Sequence, residues 1–239
     1  MALETNLASY WKLEDLSDSV GSNTLTNTGA TSTTGKIGNG YYFVTNDKLK
    51  SAGGENINVN GSSWFCWINF DDWTPAAIQY FIALDNTTSR FQIGLTTSSV
   101  LYLLNRYSTS SWEAISDTED LSGYSGWHHF GIVMGSSTYQ FYVDGQPTGS
   151  GSKNTTTGAS SDNDGIMIGC TRNTSANTYV SFTDGFIDEV GYWDTELTDA
   201  QVEELYNGGK GLSYNETLGT LVEPLAGNLV HYWKMEDLT

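Results

Sequence analysis

The sequence predicts an all-β fold: a two-sheet antiparallel sandwich of jelly-roll type, with one short helix near the C-terminus. Three observations predict it. Short apolar runs recur along the chain, each closed by turn signals. Ser, Thr, Asn and 26 glycines crowd the stretches between them, against only three prolines, which is a composition of strands and turns. A single segment carries helical start and stop signals, and it follows the last strong strand. With 239 residues the chain fits one large β domain. It can bury roughly 70% of its unfolded surface, so no disulfide staples are needed.

The strand runs in order are SYWKL, GYYFV, SWFCWINF, QYFIAL, FQIGL, VLYLLNRY, HHFGIVM, YQFYVDG, GIMIGC and FIDEVGYW. In YQFYVDG, Tyr139, Phe141 and Val143 share one face, with Gln140 and Tyr142 on the other. VLYLLNRY is apolar on both faces, as a covered central strand would be. Asp144-Gly145 closes its strand as a tight hairpin. TGSGSKNTTTGASSDNDG, residues 148–165, lacks any period and reads as a mobile surface loop. The helix is expected near 198–207. Thr198 caps it, Gln201 completes a capping box, and Leu197 and Val202 form a hydrophobic staple. Val202, Leu205 and Tyr206 make its apolar stripe, and Gly208-Gly209 stop it.

Composition excludes several functions. Ten basic against 28 acidic residues leave a net charge of −18. Such a surface repels phosphate backbones and anionic lipid, so neither nucleic-acid binding nor membrane insertion is expected. No run reaches the roughly 18 apolar residues of a membrane span. MALETNLASYW has neither the basic segment nor the apolar core of a signal peptide. Cys66 and Cys170 each sit inside an apolar run and read as small buried hydrophobes.

The order of the motifs carries a resemblance. YWKLED with DSVGSN, then GKIGNGYYF, SWFCWINF, GWHHFGIVM, STYQFYVDGQ, GIMIGC and DGFIDEVGYWDTELTDAQVEELYNGG follow one another over about residues 7–214. In that order they resemble the laminin-G-like branch of the concanavalin A-like lectin/glucanase superfamily. The resemblance implies a jelly roll of two curved antiparallel sheets. It also implies a recognition role, since members bind glycans, proteins or lipids and some relatives cleave polysaccharides.

The chain repeats its opening. NLASYWKLEDLS at residues 6–17 returns as NLVHYWKMEDLT at residues 228–239, identical at eight of twelve positions. In the resembled family YWKLED is the first strand. The expected organisation is therefore one domain over residues 1–222, then residues 223–239 as a linker plus the first strand of a following, truncated repeat. Residues 228–238 are expected to pair with a sheet edge, since an apolar unpaired strand seeks one.

The catalytic pattern of the glucanase relatives is a set of carboxylates on one strand, and it is missing. EAISDTE places Glu113, Asp117 and Glu119 on one face, but it reads as a loop. Asp188 and Glu189 are neighbours and would face opposite ways. His128 and His129 read as part of a structural strand. Asp162, Asp164 and Gly165 lack the remaining ligands of an EF-hand. Sugar recognition calls for aromatic platforms with polar groups beside them, and Trp73, Tyr102, Arg106 and Trp112 are the candidates. The resemblance also implies a structural calcium ion held by Asp18, Asn23 and Asp188, with Glu14 as a substitute ligand. The expected function is a non-catalytic glycan or cell-surface-ligand recognition module. It would belong to a tandem-repeat surface protein, adhesin or phage fibre, outside the cell or on a virion. The alternatives are a fibre spacer and a glucanase-type hydrolase.

Overall fold

A computed structural model describes residues 2–53, 57–85, 90–107, 111–155, 165–173 and 176–224, with only the backbone at Asp85. The strands in chain order are β1 (Leu7–Trp11), β2 (Thr26–Thr28), β3 (Thr31–Thr34), β4 (Asn39–Phe43), β5 (Lys48–Lys50) and β6 (Ser62–Phe70). Then come β7 (Gln79–Asp85), β8 (Arg90–Leu95), β9 (Leu101–Arg106), β10 (Trp112–Ser116), β11 (His128–Met134), β12 (Thr138–Val143) and β13 (Gln146–Ser152). Last are β14 (Ile166–Ile168), β15 (Thr171–Asn173), β16 (Thr178–Val180), β17 (Gly185–Trp193), helix α1 (Asp199–Tyr206), β18 (Ser213–Asn215) and β19 (Thr220–Val222).

Two large antiparallel sheets form the predicted sandwich. The first has the order β13-β12-β11-β6-β17-β4-β3, with β1 also paired to β17. The second has the order β10-β9-β8-β7-β14-β5-β2. Two hairpins, β15–β16 and β18–β19, lie outside these sheets.

The unbroken apolar run SWFCWINF becomes intelligible in β6, because that strand is buried on both faces. Trp64, Cys66, Ile68 and Phe70 point between the sheets into the main core. There Trp64 stacks on Tyr192, with centroids 4.3 Å apart, and meets Phe91 of the opposite sheet. Phe65 points the other way, into a second core with Tyr10, Tyr142 and Trp193. That outer layer is sealed by Val202 and Leu205 of α1 and by Leu221 of β19.

The helix has the expected ends. Thr198 and Gln201 form the capping box, and Asn207 ends α1 in the left-handed conformation. Tyr206 stacks on Trp67 at 5.7 Å, and Lys36 Nζ lies 4.2 Å from the Trp67 ring on a cation–π contact. Asp144-Gly145 forms the expected two-residue turn, with φ values of 49° and 76° between paired Val143 and Gln146. Both cysteines are buried thiols outside any disulfide, in separate apolar clusters.

Two segments differ from expectation. Residues 148–152, read as loop, belong to edge strand β13, and residues 112–116 form edge strand β10. Each is an edge strand with at most one buried residue, so neither carries the alternation that marks a half-buried strand. The end of the first segment, 156–164, including Asp162 and Asp164, lies outside the described residues, as does the expected strand 228–238.

Candidate functional site

The outer face of the seven-stranded sheet holds three of the four aromatic and basic candidates. In β9, Leu101, Leu103 and Asn105 are buried while Tyr102, Leu104 and Arg106 are half-buried on the opposite face. Trp112 pairs with Arg106 and Ser116 with Tyr102. Across β9 and β8, Arg106 is in register with Arg90, Leu104 with Gln92, and Tyr102 with Gly94. The result is a row Trp112–Arg106–Arg90 that continues to the backbone of Asp85. The neighbouring row carries Ser116, Tyr102 and Gly94.

Local chemistry keeps this shelf open. Trp112 is 60% exposed on edge strand β10. The Tyr102 ring lies 6.1 Å from that of Tyr80. Gly94 is required where it stands, because a Cβ there would come within 2.3 Å of the Gln79 carbonyl oxygen. Burial raises the pKa of Tyr102, so its hydroxyl stays protonated as a donor. The β15–β16 hairpin bounds the shelf. Gln92 Nε2 donates to Thr171 Oγ1 at 2.5 Å, and Tyr179 and Phe182 cover Ala83, Met167 and Cys170.

Arg90 and Tyr80 were missed by sequence reading. Arg90 had a signal: inward Phe91 in SRFQIGL forces its neighbour outward. Tyr80 had none, because a register shift between Tyr80 and Ile82 breaks the alternation there.

Trp73 is not part of the shelf. It is 7% exposed and caps one end of the core. Its ring meets Phe70 at 5.2 Å, His128 at 5.3 Å, and Tyr124 and Phe130 at 5.8 Å each. DDWTP is polar, yet the turn folds the indole back over the sandwich.

The expected calcium ligands are held by backbone donors. Asp18 Oδ1 accepts the N–H groups of Tyr10, Val20 and Gly21, and its Oδ2 accepts that of Asn23. Asn23 Nδ2 donates to Ser9 Oγ, and its carbonyl accepts from Trp11 Nε1. Asp188 is fully buried and accepts the N–H groups of Lys36, Ile37 and Glu189. Glu14 accepts Asn39 N and Nδ2 at 3.1 and 2.9 Å. The turn at residues 35–39 is thus clamped between Glu14, just after β1, and Asp188 of β17. Four N–H dipoles converge on the Asp18 carboxylate and oppose a cation there. Among the described residues no group of three or more His, Cys, Asp or Glu side chains is placed to hold a metal ion.

The carboxylates weighed for hydrolysis are likewise engaged. Glu113 accepts from Asn105 and Asn154, Asp117 from Thr118, Thr148 and Gly149, and Glu119 from the Tyr124 hydroxyl. Glu189 is 3% exposed at a register shift in β17. Burial, then the adjacent Asp188 charge, push its pKa well above the usual range. His128 Nδ1 lies 2.7 Å from Asp144 Oδ2, between the rings of Trp73 and Tyr124. Burial raises the Asp144 pKa, but bonds from His128 and the His129 N–H outweigh it and the net shift is downward. Burial drives the His129 pKa down to about 3.

Apart from the shelf, a cavity of about 610 Å³ lies beside β1 and the turn that follows it. Its polar lining is Ser9, Ser22, Asn23, Thr24 and Asp194, over Ile57 and Tyr192.

Comparison with known proteins agrees with this architecture. Domain 4 of AbnA, a GH43 extracellular arabinanase from Geobacillus stearothermophilus solved in complex with arabinotriose, superposes with a TM-score of 0.61 at 20% identity. The match covers 83% of this chain and 97% of that one. The botulinum neurotoxin serotype D binding domain gives a TM-score of 0.66 at 14% identity, covering 87% of this chain and 52% of that one. The binding domain of Paraclostridial Mosquitocidal Protein 1 gives 0.65 at 16%, covering 87% and 53%. The chain therefore spans about half the length of these toxin binding domains. Curated protein sequences give no match. The profile of a laminin-G family described as the concanavalin A-like lectin/glucanases superfamily matches residues 38–203, and the chain belongs to that superfamily.

Proposed function

We propose that the chain is a non-catalytic glycan-recognition module whose platform is the outer face of the seven-stranded sheet. The observation that carries this reading is Trp112, an indole 60% exposed, set in register with Arg106 and one row from Tyr102. An exposed aromatic stacks on the apolar C–H face of a pyranose, and flanking donors fix its hydroxyls. Domain 4 of the arabinanase, similar in fold, was solved with arabinotriose, and a botulinum neurotoxin DC binding domain with SialylT. A non-catalytic role is supported by Glu113, Asp117 and Glu119, each tied into structural hydrogen bonds.

The repeat supports a tandem arrangement in a surface or particle-borne protein. The residues copied at 228–239 are ones whose partners in the first copy lie elsewhere in the fold. Tyr10 donates to the Leu212 carbonyl, Lys12 pairs with Glu216, and Glu14 holds Asn39. Tandem copies would add avidity to weak single sites.

A glycan array with the full chain and with Trp112→Ala tests the reading. Binding that falls about tenfold or more in the variant is expected, as for a buried aromatic anchor. An array blank for the wild-type chain overturns it and favours the spacer alternative. Reducing sugar released by the wild-type chain, and lost on a carboxylate mutation, would overturn the non-catalytic assignment.

A further inference from the structure

An irregularity in β1 shapes the cavity beside it. Leu7 pairs with Trp193 and Ser9 with Tyr192, so Ala8 is an extra residue without its own partner on β17. In a regular strand Ala8 and Ser9 would face opposite ways. Here both line one cavity of about 610 Å³, a volume within the range of small-molecule sites. The turn after β1 supplies a second wall, and the segment after β5 a third. Tyr192 and Asp194, at the end of β17, complete it.

The polar groups of this cavity are held in place and keep unspent hydrogen-bonding capacity. Ser9 is fully buried. Its Oγ accepts from Asn23 Nδ2 at 2.7 Å, and its own O–H donates to no group among the described residues. Asn23 is fixed at two further points, by its N–H on Asp18 and its carbonyl on Trp11 Nε1. Its Oδ1 is left as an acceptor with no partner among the described residues. Ser22 and Thr24 add exposed hydroxyls. Burial, then the Asp194 charge, raise the pKa of the Tyr192 phenol, which keeps it a donor. Ala8 and Ile57 give the cavity an apolar patch, and the Tyr192 ring is fixed by its stacking on Trp64.

This lining selects by charge. No Lys, Arg or His is among the described residues around the cavity, whereas Asp194 is, so an anion finds repulsion and no counter-charge. A neutral polyol finds a match. Its hydroxyls donate to the Asp194 carboxylate and Asn23 Oδ1, and accept from Ser9, Ser22 and Thr24. Its C–H face rests on Ala8 and Ile57. The cavity is also separate from the Trp112 shelf. Thr24 stands just before β2 and Gly53 just after β5, and these strands end the seven-stranded sheet opposite β10.

We propose that this cavity is a second saccharide site, which takes a single uncharged hexose, the end residue of a glycan, independently of the Trp112 shelf. The choice of ligand class rests on the glycan-recognition reading, whereas the site itself rests on the cavity.

Backbone and indole N–H chemical shifts of the full chain test it, followed during titration with methyl glycosides of glucose, galactose and mannose. At least one glycoside should shift the amides of Ser22, Asn23, Thr24 and Asp194 in a saturable way. Thr24→Trp, at an exposed lining position, should fill the cavity and remove that response. Asp194→Asn should weaken binding about tenfold, as for loss of a charge-assisted hydrogen bond. The uronic-acid counterpart of the best ligand should bind at least about tenfold more weakly, because like charges brought together in a site repel. Shifts confined to the Trp112 indole and its neighbours on β9 and β10 would overturn the inference and leave the glycan reading standing. An acid that binds as well as its neutral counterpart would also overturn it, and so would the absence of any response. Longer glycans on the array decide the shelf separately. The shift map of the wild-type chain decides even if a variant fails to fold.

Discussion

Asp18 Oδ1 accepts the backbone N–H of Tyr10 at 3.0 Å, fastening the turn after β1 to the strand it has just left. The same carboxylate gathers three further N–H groups at 2.9–3.1 Å. Gly21 leaves room for it, since a Cβ there would come within 2.6 Å of Asp18 Oδ2. Removing the carboxylate leaves partly buried donors without their acceptor. Asp18→Ala should therefore cost about 2–4 kcal/mol, and Asp18→Asn, which keeps one acceptor oxygen, less. Chemical denaturation measures both.

The same geometry bears on calcium. With Asp18 and Asp188 serving backbone amides, EDTA is expected to leave the melting curve of the wild-type chain unchanged. A melting temperature several degrees lower in EDTA, and insensitive to EDTA in Asp188→Ala, would instead show a structural ion.

Glu189 sets a pH dependence of a definite sign. Its φ is 48°, it is buried, and neither carboxyl oxygen has a hydrogen-bond partner of good geometry among the described residues. Burial and the neighbouring Asp188 charge raise its pKa, and Ser213, Tyr10 and Lys12 offset this only in part. A carboxyl whose folded pKa exceeds its unfolded one holds its proton better in the folded state. Its stabilisation is complete below the unfolded value of about 4.3 and is lost as pH rises through the folded value. Glu189→Gln mimics the protonated form. Its stability relative to wild type should rise with pH above that point, by up to about 1.4 kcal/mol per unit. A pH-independent difference would refute this.

Legibility followed burial. Strands such as SWFCWINF and YQFYVDG declared themselves because their side chains enter a core. Helix α1 did so because its caps are side-chain chemistry. The edge strands β10 and β13 stayed hidden, since an edge strand with little buried surface has little apolar signal to give. Of the site, Tyr102, Arg106 and Trp112 were found as residues, but not as one shelf. Their adjacency depends on the register of β8, β9 and β10, which no single strand encodes. The calcium expectation meets the same limit. Asp18 and Asp188 are visible in the sequence, whereas most of the amides they face, those of Val20, Gly21, Asn23, Lys36 and Ile37, belong to turns whose paths are set by packing.

His129 predicts the acid side. It stacks on Phe65 at 5.4 Å, is 2% exposed, and its Nδ1 has no hydrogen-bond partner among the described residues. With the folded pKa near about 3 and the unfolded one near about 6.5, the unfolded chain takes the proton first. The contribution of the neutral ring is therefore lost progressively as pH falls below about 6.5. His129→Gln should flatten the difference in stability across that range. An undiminished acid dependence in the variant would show that other groups govern it.

Trp73 and Trp112 separate stability from recognition. Trp73 lies between Phe70, Tyr124, His128 and Phe130 with 7% of its surface exposed, while Trp112 is 60% exposed on an edge strand. Truncating the first leaves a cavity among rings that cannot collapse onto one another. Trp73→Ala should therefore cost about 3–5 kcal/mol. Truncating the second removes an indole that packs little of the fold, so Trp112→Ala should change stability by no more than about 0.5 kcal/mol. Binding should respond in the opposite sense. At a temperature where both variants are folded, Trp73→Ala should keep wild-type glycan affinity and Trp112→Ala should lose it. Calorimetric melting and titration of the same two preparations supply both numbers. A Trp112 variant that melts early, or a Trp73 variant that is stable but fails to bind, would place the platform at the sandwich end rather than on the sheet.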